Sequence, residues 1–324
     1  MSTSTIERAP VNPREHERYD RLIAAARALP KLRVAVAHPC DEAALGAALE
    51  AAELGIVEPV LVGPRVKVEA AAAALGADIG PFRLCEAAHS HEAAERAVAL
   101  VRAGEAEALM KGSLHTDELM AAVVRRDIGL RTARRLSHCF VMDVPGHPTP
   151  LIVTDAAVNI APTLEEKRDI TQNAIDLAHA LGVETVRVAI LSAMETVNPK
   201  VTSTLDAAAL CKMADREQIT GAVLDGPLAL DNAIDLGAAR IKRIRSPVAG
   251  QANVLVVPDL AAGNMLAKSL TFLAGADAAG IVLGARVPII LTSRADARLT
   301  RLASCAVASL VAAAERARRV LPEV

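Results

Sequence analysis

Two short stretches carry side chains whose types and spacing could do chemistry. In LTSRADARL, Leu291 to Leu299, an apolar run delivers Ser293, Arg294 and Asp296 to the mouth of a long helical stretch. A serine hydroxyl can donate to a developing oxyanion, a guanidinium can grip a phosphate bidentately, and a carboxylate can act as a base. The plainer reading is that Ser293 or Asp296 caps the helix. In MKGSLHTDEL, Met110 to Leu119, a strand ends at Met110 and a helix begins at Thr116. Lys111, Gly112 and Ser113 form the turn between them. Glycine lets backbone N–H groups approach an anion, and lysine supplies positive charge. An ordinary turn capped by Thr116 fits the same residues equally well.

Two more strand exits carry polar groups. LIVTDAAVNIAPT places Asp155 and Asn159 after an apolar run, and LDGPLALD places Asp225, Gly226 and Pro227 after another. In parallel sheets ligands sit at the C-terminal strand ends. Neither acidic residue belongs to a cluster with metal-ligand spacing, so no metal is expected. Arg125, Arg126, Arg131, Arg134 and Arg135 form a dense basic stretch, and Lys242, Arg243 and Arg245 another. Such runs are solvated faces, or they receive the phosphates of an anionic cofactor. His89 and His91 read as solvated surface at a helix start. The GxGxxG, GxxxxGK[ST], HExxH and GxSxG motifs are absent.

These residues need a scaffold, and the composition supplies one. The 324 residues are 52% hydrophobic and 23% charged, which gives a sizeable core and excludes a largely disordered chain. Aromatics are 1%, so Ala, Val, Leu and Ile must fill that core, and a base-stacking surface is excluded. The net charge of -2 argues against a dedicated nucleic-acid binder or a polybasic membrane anchor. Five scattered cysteines, none in a CxxC pair, point to reduced thiols in a cytoplasmic protein. Short apolar runs alternate with Ala-rich helical stretches, as in an α/β fold with mostly parallel sheets. Caps are expected at Asp41, at Thr163 with Glu166, and at Ser203 with Asp206. PGHPTP, Pro145 to Pro150, reads as a domain junction, and 297–319 as a long closing helix.

In this order, the segments LMKGSLHTDELM, GLRTARRLSHCFVMD, LIVTDAAVNIAPTLEEK, NPKVTSTLDAAALCKMADR, GAVLDGPLALDNA, DLAAGNMLAKSL and VPIILTSRADA resemble the phosphate acetyl/butyryltransferase family. The match runs from about Val34 to the C-terminus. Acetyl-type enzymes tend to carry an arginine early in the helix after the KGS-like turn. Here that helix reads Leu119-Met120-Ala121, which looks more like the butyryl branch. The resemblance implies two αβα domains with an interdomain cleft, the architecture shared with isopropylmalate-type dehydrogenases. The expected domains are 1–148 with 297–324, and 149–296. It also implies a homodimer with no tightly bound cofactor, acting on acyl-CoA and phosphate to give acyl phosphate and CoA. Arg294 is then expected to bind phosphate, Ser293 to donate to the oxyanion, and Asp296 to take the thiol proton. Lys111, Gly112, Ser113, His115, Arg131, Asp155, Asn159, Asp225, Gly226 and Pro227 are the implied substrate-binding set, brought to a single crevice. The rival expectations are a metal- and nicotinamide-dependent dehydrogenase of the same architecture and a CoA-binding module without turnover.

Overall fold

The computed structural model describes residues 16–292 and 296–320, so Ser293 and Arg294 lie outside the described residues. The N-terminal half runs α1 (Glu17–Arg27), β1 (Leu32–Ala37), α2 (Glu42–Glu53), β2 (Val57–Gly63), α3 (Arg65–Leu75), β3 (Leu84–Glu86), α4 (Ser90–Arg102), β4 (Ala108–Lys111), α5 (Thr116–Val123) and β5 (Ser137–Asp143). It continues through β6 (Leu151–Thr154), α6 (Leu164–Ala180), β7 (Arg187–Leu191), α7 (Thr202–Asp215), β8 (Val223–Leu228), α8 (Leu230–Ile234) and α9 (Leu236–Ile241). The chain ends with β9 (Val254–Val256), α10 (Leu260–Phe272), β10 (Asp277–Leu283), β11 (Ile289–Ile290) and α11 (Arg298–Val320).

Local chemistry sets most of the boundaries. Asp41 starts α2 by accepting the Ala44 N–H at 2.7 Å. Thr163 and Glu166 close a reciprocal capping box on α6, with Thr163 N–H donating to Glu166 Oε2 at 2.9 Å. The expected cap at Ser203 does not form. α7 begins at Thr202 behind Val201, and Asp206 instead pairs with the buried Lys167 of α6 at 2.7 Å. The N-cap of α5 is His115, one residue before the expected Thr116. β3 has no counterpart in the sequence reading, because its three residues, two half-buried and Glu86 exposed, carry too short an apolar run to register.

The strands form one sheet in the order β3-β2-β1-β4-β11-β10-β5-β6-β9-β7-β8. Among the described residues seven strand pairings are parallel and three, all around β10 and β5, are antiparallel. PGHPTP connects antiparallel β5 and β6. The reversals have a decisive consequence. β1, β2, β3, β4 and β11 run one way, while β6, β7, β8 and β9 run the other, so their C-terminal tips lie on opposite edges of the sheet.

With so few aromatics, small residues close the core. Ala303, Cys305, Ala306, Val307 and Ala308 of α11 are buried where that helix covers β10. Ser304 Oγ accepts the Gly280 N–H at 3.0 Å and donates to the Thr300 carbonyl at 2.7 Å. A side chain at Gly280 would meet His138 Nε2 at 3.0 Å and the Leu291 carbonyl at 3.1 Å, so glycine lets α11, β5 and β11 converge.

Candidate active site

β11 lies parallel to β4, with Ile289 opposite Leu109 and Ile290 opposite Met110. That pairing sets the exits of the two strands, Thr292 and Lys111, side by side. Asp41, Lys111, Gly112, Thr292 and Arg301 line one small crevice at the two strand tips. Thr292 is the residue before Ser293, and Asp296 resumes the described chain in a half-buried position before α11. Arg301 brings a further cation into this crevice. Nothing in the sequence sets it apart, because Arg301 reads as one of several cations at the start of the closing helix.

The 111–113 turn is locked to the tip of β1. Lys111 is buried and its Nζ donates to the Gly112 and Leu114 carbonyls, each at 3.2 Å. A Cβ on Gly112 would sit 2.3 Å from the Ala37 carbonyl oxygen. The Ser113 hydroxyl donates to the His38 carbonyl at 2.8 Å and lies 3.0 Å from His38 Nδ1. The same hydroxyl accepts the Cys40 N–H at 3.3 Å, so Ser113 ties the 111–113 turn to the residues after β1. His38 sits in the left-handed region at φ 57°, and burial, helped by Lys67, lowers its pKa. Lys111 and Ser113 thus build the turn as well as line it. His38 was missed, although it directly follows the β1 run LRVAVA in the sequence. His115, exposed at the start of α5, donates its backbone N–H to Glu118 Oε2 at 3.3 Å.

A larger cleft of about 870 Å³ extends along α5, between Thr116 and Met120 on one side and Arg131, Arg134, Arg135 and Arg168 on the other. Its far wall includes the first turns of α6. Arg131 is exposed, and its backbone bridges to Ala285. Arg134 pairs with Asp176, and Arg168 with Asp169 at 2.8 Å. Arg135 is held more elaborately: Nε donates to Asn159 Oδ1 at 2.7 Å and NH1 meets Glu166 Oε1 at 3.0 Å.

Asp155 and Asn159 stand behind that arginine. The Asp155 carboxylate accepts the backbone N–H groups of Ala157, Val158 and Asn159 at 2.9–3.2 Å, and Asn159 Nδ2 at 2.6 Å. Both side chains are buried, so they shape the cleft wall from behind. Next to Asp155, the buried His138 packs on Phe140 with ring centroids 4.4 Å apart, and its Nδ1 has no hydrogen-bond partner. Burial lowers its pKa to about 4, although the nearby Asp155 pulls the other way.

Asp225, Gly226 and Pro227 are not brought to this place. They lie in the edge strand β8, seven strand positions from β4, roughly 34 Å across the sheet. Gly226 there packs against the Ile190 carbonyl, and the half-buried Asp225 accepts the Gly226 N–H at 2.8 Å. Apolar patterning reveals strand ends but not the reversal of direction that separates them. Burial pushes the Cys40 thiol up to about 11, and those of Cys139, Cys211 and Cys305 up to about 12, so these four are protonated at neutral pH. Among the described residues no group of three His, Cys, Asp or Glu side chains converges to hold a metal ion.

Comparison with known proteins identifies the family. A family model described as Phosphate acetyl/butaryl transferase matches residues 86–309. A phosphate acetyltransferase of Rhizobium meliloti is 64% identical over 95% of this chain and 98% of its own. A phosphate butyryltransferase of Clostridium acetobutylicum is 40% identical over 91% of this chain and 98% of its own. Overall similarity therefore leans to an acetyl-type relative, against the butyryl leaning of Leu119-Met120-Ala121. A branched-chain phosphotransacylase structure from Enterococcus faecalis superposes with a TM-score of 0.75 at 29% identity, covering 87% of this chain and 99% of that one. Sequence motifs, strand pairing and these likenesses agree: the chain belongs to the phosphate acetyl/butyryltransferase family.

Proposed function

We propose that the chain moves an acetyl group reversibly between CoA and inorganic phosphate by direct attack in a ternary complex. The observation that carries this is the parallel pairing of β11 with β4, which puts the turn opening at Thr292 beside Lys111 and Gly112. The acetyl preference is drawn from the relative at 64% identity.

In the direction of CoA acylation, the thiolate attacks the acyl carbon of the acyl phosphate. A tetrahedral oxyanion forms and collapses, and phosphate leaves. A thiol with an ordinary pKa of about 8.5 needs a base at neutral pH. We assign that role to Asp296. Arg294 neutralises the departing phosphate, and Ser293 donates to the oxyanion, a contribution of about 3 kcal/mol for one such donor. Lys111, Gly112 and Ser113 form the opposing wall. The arginine-lined cleft along α5 holds CoA, which is a substrate, with no tightly bound cofactor. The raised cysteine pKa values support a route without an acyl-enzyme on those thiols. We assign Asp225, Gly226 and Pro227 no contact in this step.

We extend the proposal to a two-domain arrangement, 1–148 with 297–324 against 149–296, and to a homodimer in the cytoplasm. No described helix is long and apolar enough to cross a membrane. α10 supports the dimer, because it leaves Met265, Phe272 and Leu273 well exposed.

The test is thiol release from acetyl-CoA on adding phosphate, with no nicotinamide or metal present. Wild type is expected to release CoA in proportion to phosphate. Arg294→Ala is expected to lose at least a hundredfold in kcat/KM for phosphate while keeping its circular dichroism spectrum. An active Arg294→Ala enzyme with unchanged phosphate affinity would refute the assignment. A dehydrogenase would need nicotinamide, and a binding module would show CoA affinity without turnover.

A further inference from the structure

We propose that Asn159 is a positioning residue that, with Glu166, fixes the Arg135 guanidinium in the cleft so that it takes a phosphate group of CoA. This rests on reading the cleft along α5 as the CoA site.

The hydrogen-bond directions carry the argument. Asn159 Nδ2 donates to Asp155 Oδ2 at 2.6 Å and to the Leu136 carbonyl at 2.8 Å. Both acceptors demand the amide nitrogen, so the amide oxygen is left for Arg135 Nε, at 2.7 Å. Flipping the amide would set an NH₂ group against a guanidinium and an oxygen against a carboxylate. Asp155 cannot drift either, because three backbone N–H groups of its own loop hold it.

The second anchor is equally constrained. Glu166 accepts the Thr163 N–H through Oε2 at 2.9 Å, closing the α6 cap, and meets Arg135 NH1 through Oε1 at 3.0 Å. The Arg135 backbone is tied as well, with its N–H donating to Asp169 at 2.9 Å and its carbonyl accepting from Asn173 at 2.9 Å. One sequence run, Asp155-x-x-x-Asn159-x-x-x-Thr163-x-x-Glu166, thus serves a single arginine.

A guanidinium has five N–H donors, and Asn159 and Glu166 engage two of them. The side chain lines the cleft with the remaining donors in a fixed fork, the geometry that suits a phosphate. A side chain already ordered loses little entropy on binding. The two carboxylates that touch Arg135 are occupied, Glu166 by the cap and Asp169 by Arg168 and the Arg135 amide. The ligand is a CoA phosphate rather than the reacting inorganic phosphate for a positional reason. Arg135 enters from the start of β5 and α6, whereas the reacting phosphate is assigned to the turn beside Lys111. A cleft of about 870 Å³ also has the size of a cofactor site.

The experiment is calorimetric titration of CoA, dephospho-CoA and inorganic phosphate into wild type, Arg135→Gln, Asn159→Ala and the double variant. Arg135→Gln is expected to weaken CoA about tenfold, the scale of one charge-assisted bond, and inorganic phosphate at most twofold. Asn159→Ala is expected to weaken CoA several-fold alone and no further in the Arg135→Gln background. A tenfold effect that disappears with dephospho-CoA assigns the 3′-phosphate, and one that persists assigns the diphosphate. Unchanged CoA affinity in Arg135→Gln overturns the proposal, as does a fully additive loss in the double variant or an equal loss for both ligands. Should Asn159→Ala fail to fold, Glu166→Gln, which retains a residue able to close the cap, reads the same coupling. Binding is read without turnover, so a wild type that binds CoA but releases no thiol would sink the transferase reading and leave this test standing.

Discussion

His138 shows how burial turns a common side chain into a condition on stability. Its ring is enclosed with an unpartnered Nδ1, and its folded pKa is lowered to about 4. The unfolded chain binds a proton near pH 6.5, so between those values the unfolded state holds more protons, and folding weakens as pH falls. The stabilisation is complete above pH 6.5 and is lost toward pH 4, on the order of 2 kcal/mol by pH 5. Urea unfolding at pH 7.5 and 5 measures this. His138→Phe, which has no proton to gain, is expected to show a shallower decline, and an identical slope in the two proteins would dismiss His138 as its source. At this scale the sequence was half legible. Asp155 and Asn159 stood out as polar residues after an apolar run. Asp155 turns its carboxylate onto its own loop through contacts two to four residues away, whereas the service of Asn159 to Arg135 rests on a contact from 135 to 159 that no local pattern encodes.

Among the elements, the β4 exit is the most tightly specified. Gly112 N–H donates to the Ala37 carbonyl at 2.9 Å, and an added Cβ would fall 2.3 Å from that oxygen. Gly112→Ala must therefore part β1 from β4 or distort the turn. We expect a loss of about 1–3 kcal/mol in denaturant unfolding, the usual scale of overpacking, together with a larger fall in thiol-release activity than in stability. Wild-type stability and activity in Gly112→Ala would mean that the turn tolerates displacement and does not set the crevice. Both β4 and β11 were visible as apolar runs. Their pairing was not, because it joins residues about 180 positions apart and leaves no short-range trace. The α6 cap was readable because Thr163 and Glu166 are three residues apart and satisfy each other directly. Ser203 failed as a cap because α7 already begins at Thr202, and its hydroxyl pairs with that of Ser192, just past β7, at 2.8 Å.

Across the whole molecule, alternating apolar runs and helices foretold an α/β protein with mostly parallel strands, and the sheet has that character. The three antiparallel joints were beyond reach, and they separate Asp225 from the crevice. The exposed face of α10 sets the prediction at this scale. With Phe272 and Leu273 at 78% and 86% exposure, pairing through that helix should give twice the chain mass in light scattering. Phe272→Lys combined with Leu273→Lys should give a monomer. A monomeric wild type at roughly micromolar concentration, the range of a stable interface, would remove the dimer from the proposal.

The position of β10 and β11 also dictates when the protein can be assembled. They fill the gap between β4 and β5, yet they are made some 130 residues after β5. Until they emerge from the ribosome, the facing borders of β4 and β5 offer unsatisfied backbone groups to any passing strand. A nascent chain stalled before residue 277 is therefore a sticky intermediate, and the stretch from 277 to 290 closes the seam that makes the molecule safe from its own neighbours.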